Sequence, residues 1–178
     1  MDSLEQARRR VTRGDVGAFQ SIVEQTGDML VRLSARMLGN VTDAEDVVQE
    51  AFVKAYQALV ADEFDGRSSV KTWLYRIVTN ASLDALRKRK RKAEVGDDVL
   101  TDLPGGSDAA QLEARMALRE LSDYLDGLPE DQRTAIILKG VEGLTTGEVA
   151  AIMETTEGAV EQRLVRARAT LRSKRSET

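Results

Sequence analysis

The stretch LTTGEVAAIMETTEGAVEQRLVRARATLR, Leu144 to Arg172, decides the fold. Thr145 and Glu148 stand in capping-box relation, each side chain satisfying an orphan backbone N–H of the other. They open a short helix over Val149 to Met153, and Glu154 to Thr156 make a tight turn. Beyond the turn, Val160, Leu164, Ala167 and Leu171 recur at helical spacing as one apolar stripe. The opposite side carries Glu161, Gln162, Val165 and Arg166, with Arg168 and Arg172 further on. Short helix, tight turn and basic amphipathic helix together predict a helix-turn-helix. Such a unit presents the start of its second helix to base edges in the major groove. There Glu accepts from cytosine N4, Gln pairs with adenine, and Arg forks onto guanine or phosphate. The competing reading is a solvated basic helix on the outside of a bundle.

Upstream, a helix opens near Asp108, runs through Leu112, Met116, Leu118, Leu121 and Leu125, and ends at Gly127. Pro129 suits the first turn of the next helix, through Ile136, Ile137 and Leu138. Before this half lies AEVGDDVLTDLPGGS, residues 93–107, aperiodic and rich in Gly and acid, which reads as a linker.

The first half has its own long helix, WLYRIVTNASLDALRKRKRK, Trp73 to Lys92. Ser68 or Ser69 caps it, and Trp73, Leu74, Ile77, Val78, Ala81 and Ala85 form its buried side. Arg76, Asn80, Asp84 and Arg87 share another face, able to offer donors and acceptors to nucleic acid. Six consecutive cations, residues 87–92, follow. They suit phosphate, or simply a solvated helix end favoured by the dipole. Gly66 bends the preceding loop, where Phe64 either stacks on an unpaired base or plugs the core.

Further upstream, Thr42-Asp-Ala-Glu45 reads as another capping box. It starts a helix to about Leu59 with Val48, Ala51, Phe52, Ala55 and Leu59 inward. Its polar face holds Asp43, Asp46, Gln49, Glu50 and Lys54; acids in a first turn are also expected for the dipole alone. Before it, one helix starts at or near Asp15 and passes Phe19, Ile22 and Val23. Asp28 caps a second, through Leu30, Leu33 and Met37, which Gly39-Asn40 stops.

Composition agrees with an all-α reading. Among 178 residues there are few aromatics, and the two prolines both follow residue 100, so long helices are unobstructed. The chain has no Cys and no His, which removes disulfides, thiol nucleophiles, His- or Cys-ligated zinc and His-based acid–base chemistry. No apolar run approaches the roughly 20 residues that span a bilayer, and MDSLEQARRR lacks a secretory apolar core. The expectation is a cytoplasmic protein without membrane insertion, cofactor or metal. Net charge is −4, which alone argues against a nucleic-acid binder, but local patches set phosphate attraction. Residues 161–178 hold six cations against two acids, whereas residues 94–108 hold five acids and no cation.

Three segments in this order resemble the extracytoplasmic-function (group IV) sigma factors, the two-domain branch of the bacterial sigma-70 family. They are LGNVTDAEDVVQEAFVKAY (Leu38–Tyr56), FDGRSSVKTWLYRIVTNASLDALRKRKR (Phe64–Arg91) and LPEDQRTAIILKGVEGLTTGEVAAIMETTEGAVEQRLVRARATLR (Leu128–Arg172). The resemblance implies two small helical domains: residues 1–92 for polymerase docking and the minus-10 element, residues 109–178 for the minus-35 element, and an acidic linker at 93–108. It implies core RNA polymerase as partner, through the beta-prime clamp helices and the beta flap, together with promoter DNA and an anti-sigma factor. Docking would fall to Asp43, Asp46, Val47, Gln49, Glu50 and Lys54. Minus-10 reading and melting would fall to Phe64, Arg67, Ser68, Lys71, Arg76, Asn80, Asp84, Arg87 and Lys88, with a flipped base held near Phe64 and Asn80. Minus-35 reading would fall to Thr156, Glu157, Glu161, Gln162, Val165, Arg166 and Arg168. Such a factor performs no covalent chemistry itself. This chain departs from the family pattern at Ala159 and Glu161, where Thr and a basic residue are frequent, so its minus-35 preference differs. Its turn also lacks the frequent Gly, leaving the helix cap to Thr155 or Thr156.

Three other classes compete: a sigma-like decoy that sequesters an anti-sigma factor, a stand-alone helix-turn-helix repressor, and a metal-dependent nuclease. Intact DNA-facing residues oppose the decoy. A repressor needs neither the acidic docking helix nor the Trp73 helix. The acids follow helix starts and linker, with no convergent cluster.

Overall fold

The computed structural model describes residues 2–96 and 108–176. Residues 97–107, most of the segment read as a linker, lie outside the described residues. Among the described residues there is no strand, and no helix is long and apolar enough to cross a membrane.

Helix α1 (Ser3–Thr12) lies within the polar N-terminal segment, with Asp2 as its cap and Leu4, Ala7 and Val11 buried. Helix α2 (Gly17–Leu38) is continuous, where two helices divided at Asp28 were expected. The buried residues Ile22, Thr26, Leu30, Leu33 and Met37 carry one stripe across the expected break. That burial outweighs the ~1 kcal/mol that Gly27 costs a helix interior. The expected start near Asp15 is present, its Oδ1 accepting from the Ala18 N–H at 3.3 Å.

Gly39 ends α2 in the left-handed conformation at φ 74°. A Cβ there would also stand 3.3 Å from Ser122 Oγ, so conformation and close approach both select glycine. Helix α3 (Val41–Val60) is capped by Asn40, whose side chain accepts from Asp43 N at 3.1 Å. The cap is therefore Asn40, two residues before the Thr42 of the expected capping box, because the extended backbone needed at a cap falls at residue 40. Helix α4 (Val70–Glu94) starts from Ser69, which accepts from Thr72 N at 3.1 Å, and takes in the whole basic run.

Helices α2, α3 and α4 pack as a bundle with α1 against them. Their core includes Ile22, Leu30, Leu33, Met37, Leu59, Trp73 and Leu74. Ser34 and Ser82, both fully buried, share a 2.9 Å hydrogen bond between α2 and α4.

The second half comprises α5 (Ala109–Leu125), α6 (Glu130–Ile136), α7 (Thr146–Ile152) and α8 (Glu157–Ser176). Only part of the stripe expected for α5 is covered. Leu125 is buried and Leu118 packs on the small Ala35, Leu38 and Ala44 cluster, but Leu112 and Met116 are 59% and 56% exposed. Helix α6 follows Pro129 and does not continue as an α-helix through Leu138. From Ile137 to Val141 it widens into a π turn, with the Glu142 N–H donating to the Ile137 carbonyl at 2.9 Å.

The two halves pack together, α2 against α5 and α4 against α7. Charged groups lace the junction. Arg36 pairs with Glu142, whose carboxylate also accepts from the Tyr75 hydroxyl at 3.4 Å. Arg133, half-buried and without a carboxylate within bonding distance among the described residues, donates to the Met37 carbonyl at 3.5 Å and to Ser122 Oγ at 3.3 Å. Burial pulls its guanidinium below its ordinary pKa. Arg89 donates to the Leu38 carbonyl at 3.1 Å, so two arginines serve the carboxyl end of α2.

Candidate nucleic-acid interface

The helix-turn-helix is built from α7 and α8. In the capping box at its entrance, the Glu148 carboxylate accepts from Thr145 N at 2.8 Å and Thr145 Oγ1 accepts from Glu148 N at 3.2 Å. The Thr145 N–H is the largest influence holding the Glu148 carboxyl below its usual range. The turn is made by Glu154, whose φ of 51° is left-handed without glycine. The Thr155 N–H to Ala150 carbonyl bond, 2.9 Å, closes it. Thr156 then caps α8, its Oγ1 accepting from Ala159 N at 3.1 Å, which selects it over Thr155.

Val160, Leu164, Ala167 and Leu171 are all buried. Each large member stabilises the unit by about 1.5–3 kcal/mol. Fixing that stripe turns Glu161, Gln162, Val165, Arg166 and Arg168 outward, and Thr156 and Glu157 are exposed as well. Val165 is 62% exposed, an apolar residue amid polar ones and suited to a thymine methyl.

On α4, burial of Trp73, Leu74 and Val78 leaves Asn80, Asp84, Arg87 and Lys88 exposed and Arg76 partly covered. Lys71 lies over the Tyr75 ring at 5.9 Å. In the loop, Arg67 is exposed and its N–H donates to Asp65 Oδ1 at 3.0 Å, while Ser68 is half-buried. Phe64 is half-buried and packs edge-on against Trp73, with centroids 5.2 Å apart and planes at 70°. The Arg8 guanidinium lies 5.1 Å from the centre of the same ring. Phe64 thus serves the core as well as the loop.

Two cations of the α4 face are engaged by acids of the second half. Arg76 stands 3.6 Å from Glu154. Arg87 reaches Glu130 at 2.5 and 3.2 Å and Asp84 at 3.3 Å. The sequence named the cations but not these partners.

On α3, Asp46, Gln49, Glu50 and Lys54 are exposed, Asp43 is half-buried, and Val47 packs partly against the Ala35, Leu38 and Ala44 cluster. Val53, 57% exposed, lies on the same face and was not singled out from the sequence. Its cue was an apolar residue off the Val48, Ala51, Ala55 and Leu59 stripe. Among the described residues no group of three or more acidic side chains is gathered as a metal site.

Comparison with known proteins identifies the family. Residues 22–92 match sigma-70 region 2 and residues 118–171 match sigma-70 region 4. The ECF RNA polymerase sigma factor SigW of Bacillus subtilis strain 168 is 38% identical over 174 residues, covering 92% of each chain. The ECF RNA polymerase sigma-E factor of Escherichia coli K12 is 36% identical over 182 residues, covering 93% of this chain and 90% of that one. Among solved structures, CnrH in complex with the cytosolic domain of CnrY superposes with a TM-score of 0.74 at 29% identity, covering 99% of each chain. The sigma factor RpoE in complex with the anti-sigma factor NepR, from Bartonella quintana, gives 0.65 at 28% identity, covering 89% of this chain and 96% of that one. The chain belongs to the extracytoplasmic-function sigma factors of the sigma-70 family, which are non-enzymatic transcription initiation factors.

Proposed function

We propose that this chain joins core RNA polymerase in the cytoplasm, directs it to promoters and opens the DNA there. The α3 face around Asp46, Gln49, Glu50, Val53 and Lys54 docks on the beta-prime clamp helices, and the second half engages the beta flap. Helix α8 reads the minus-35 element as duplex through Glu161, Gln162, Val165 and Arg166. The Phe64–Ser69 loop and the Asn80, Asp84, Arg87 and Lys88 face of α4 take the minus-10 element. Capturing one unstacked base there offsets part of a melting cost of a few kcal/mol.

The observation that carries this reading is the α4 face: its polar residues stand exposed beside the loop whose Phe64 packs on Trp73 of the bundle. A decoy that only sequesters an anti-sigma factor would not need it. The pairs Arg76–Glu154 and Arg87–Glu130 support a closed, inactive arrangement that an anti-sigma factor would stabilise in an envelope or stress response.

The test is transcription from fragmented genomic DNA by purified core polymerase with and without the protein, mapping new RNA 5′ ends. New starts sharing two upstream elements are expected. Core binding without new starts would favour the decoy.

A further inference from the structure

Helix α1 precedes the matched region 2, which begins at residue 22, yet it touches the entry to the minus-10 loop at two points. At the first, Thr12 Oγ1 donates to the Leu59 carbonyl at 3.2 Å, in the last turn of α3. At the second, Arg8 lies over the Phe64 ring, with its Cζ 5.1 Å from the centroid. Glu5, one turn back on α1, fixes the guanidinium through Nε and Nη2 at 2.7 to 3.1 Å. The Arg8 side chain is only 15% exposed, unusual for an arginine on a terminal helix.

The loop needs such a brace. It leaves α3 through Asp62, a non-glycine residue at φ 55°, a conformation that persists only where its surroundings hold it. Asp62, Glu63, Asp65, Gly66, Arg67 and Ser69 are exposed, so Phe64 is the loop's main anchor to the core. Trp73 and Arg8 both contact that ring, one edge-on at 5.2 Å and the other with its Cζ 5.1 Å from the centroid.

We infer that Arg8 is a positioning residue for minus-10 base selection: held by Glu5, it pins Phe64 against Trp73 and so fixes the loop that receives the unpaired base. The inference rests on the role proposed above for Phe64. A cation over an aromatic ring contributes ~0.5–2 kcal/mol, depending on desolvation. Its loss frees the loop while the α2–α4 bundle keeps its own core.

The experiment uses the full-length protein with core polymerase. Fork-junction DNA carries the mapped minus-10 element unpaired on the non-template strand, and affinity is compared for the cognate base and each alternative at the captured position. Arg8→Ala should reduce the cognate-to-alternative ratio by roughly 2- to 30-fold, with core affinity unchanged and the melting temperature lowered by no more than a few degrees. Arg8→Lys, which restores a cation over the ring without the two-pronged bond to Glu5, should recover part of the ratio. A ratio unchanged in Arg8→Ala but collapsed in Phe64→Ala would overturn the inference and leave the Phe64 role standing. A ratio unchanged in both would overturn the Phe64 role and the inference with it. A core affinity that falls as far as the ratio does, with a melting temperature more than ~10 °C below that of the parent, would make Arg8 an ordinary stabiliser and overturn its role in base selection.

Discussion

Glu142 and Arg36, 106 residues apart in the chain, form an ion pair at the junction of the two halves, with side-chain exposures of 6% and 28%. The acid follows the π turn and the base lies in the last turns of α2. The pair is therefore intact only while the halves are together. Removing one partner strands the other, a greater cost than the pair's net contribution.

Glu142→Gln should destabilise the closed arrangement by about 1–3 kcal/mol, because Arg36 and the Tyr75 hydroxyl both lose their charged acceptor. Small-angle scattering should report a larger radius of gyration for the free protein. Arg36→Glu combined with Glu142→Arg should return it toward the original value. An unchanged radius in the single variant would mean that other contacts hold the halves.

Tyr75 supplies a pH test of the same junction. Burial, and secondarily the Glu142 carboxylate, push its phenol from 10.0 up to about 12. Below pH 10 it is neutral whether the protein is closed or unfolded, so its contribution is complete. Between 10 and 12 the unfolded chain gives up the proton first, and stability falls as pH rises. Tyrosinate absorbance should show one late group that Tyr75→Phe abolishes and Glu142→Gln shifts downward. Three tyrosines titrating together would contradict the assignment.

Ser34 and Ser82 test the first half alone. Either alanine substitution leaves a buried hydroxyl unpaired and should cost about 1–3 kcal/mol in chemical unfolding. The double variant should cost less than the sum of the singles. Strict additivity would show that the two hydroxyls do not depend on each other.

Arg166→Ala should weaken binding to minus-35 duplex about tenfold. If the contact is to phosphate, the slope of log affinity against log salt should flatten by about one and every sequence should suffer alike. If it is to a guanine, the slope should hold and discrimination at one position should fall. A footprint identical to that of the parent would remove Arg166 from the interface.

Asn80→Ala should slow promoter opening while assembly with core is preserved. Permanganate reactivity of unpaired thymines, read beside a core-binding titration, separates the two. Failure to assemble would transfer Asn80 to the docking surface.

Much of this was legible in local patterns. Thr145 with Glu148, the stripe from Val160 to Leu171, and Ser69 before Trp73 are relations within a few turns, and spacing reports them. Helix α1 was hidden because only Leu4, Ala7 and Val11 are buried among ten mostly polar positions. Gly27-Asp28 resembles a helix boundary, and only tertiary burial of Thr26 and Leu30 shows that the helix continues. Arg76 and Arg87 were visible as cations. Their partners Glu154 and Glu130 were not, because long-range pairing leaves no periodic trace. Arg8 over Phe64 escaped for the same reason.

The engagement of Arg76 and Arg87 gives ionic strength two opposing effects on this chain. Counter-ions screen the acids of the second half from the α4 cations, which favours an open molecule, and they also screen those cations from DNA. The number of molecules able to bind rises with salt while the grip of each one falls. Apparent promoter affinity of the free chain should therefore fall less steeply with salt than that of the Glu130→Gln, Glu154→Gln double variant, in which both cations are already released.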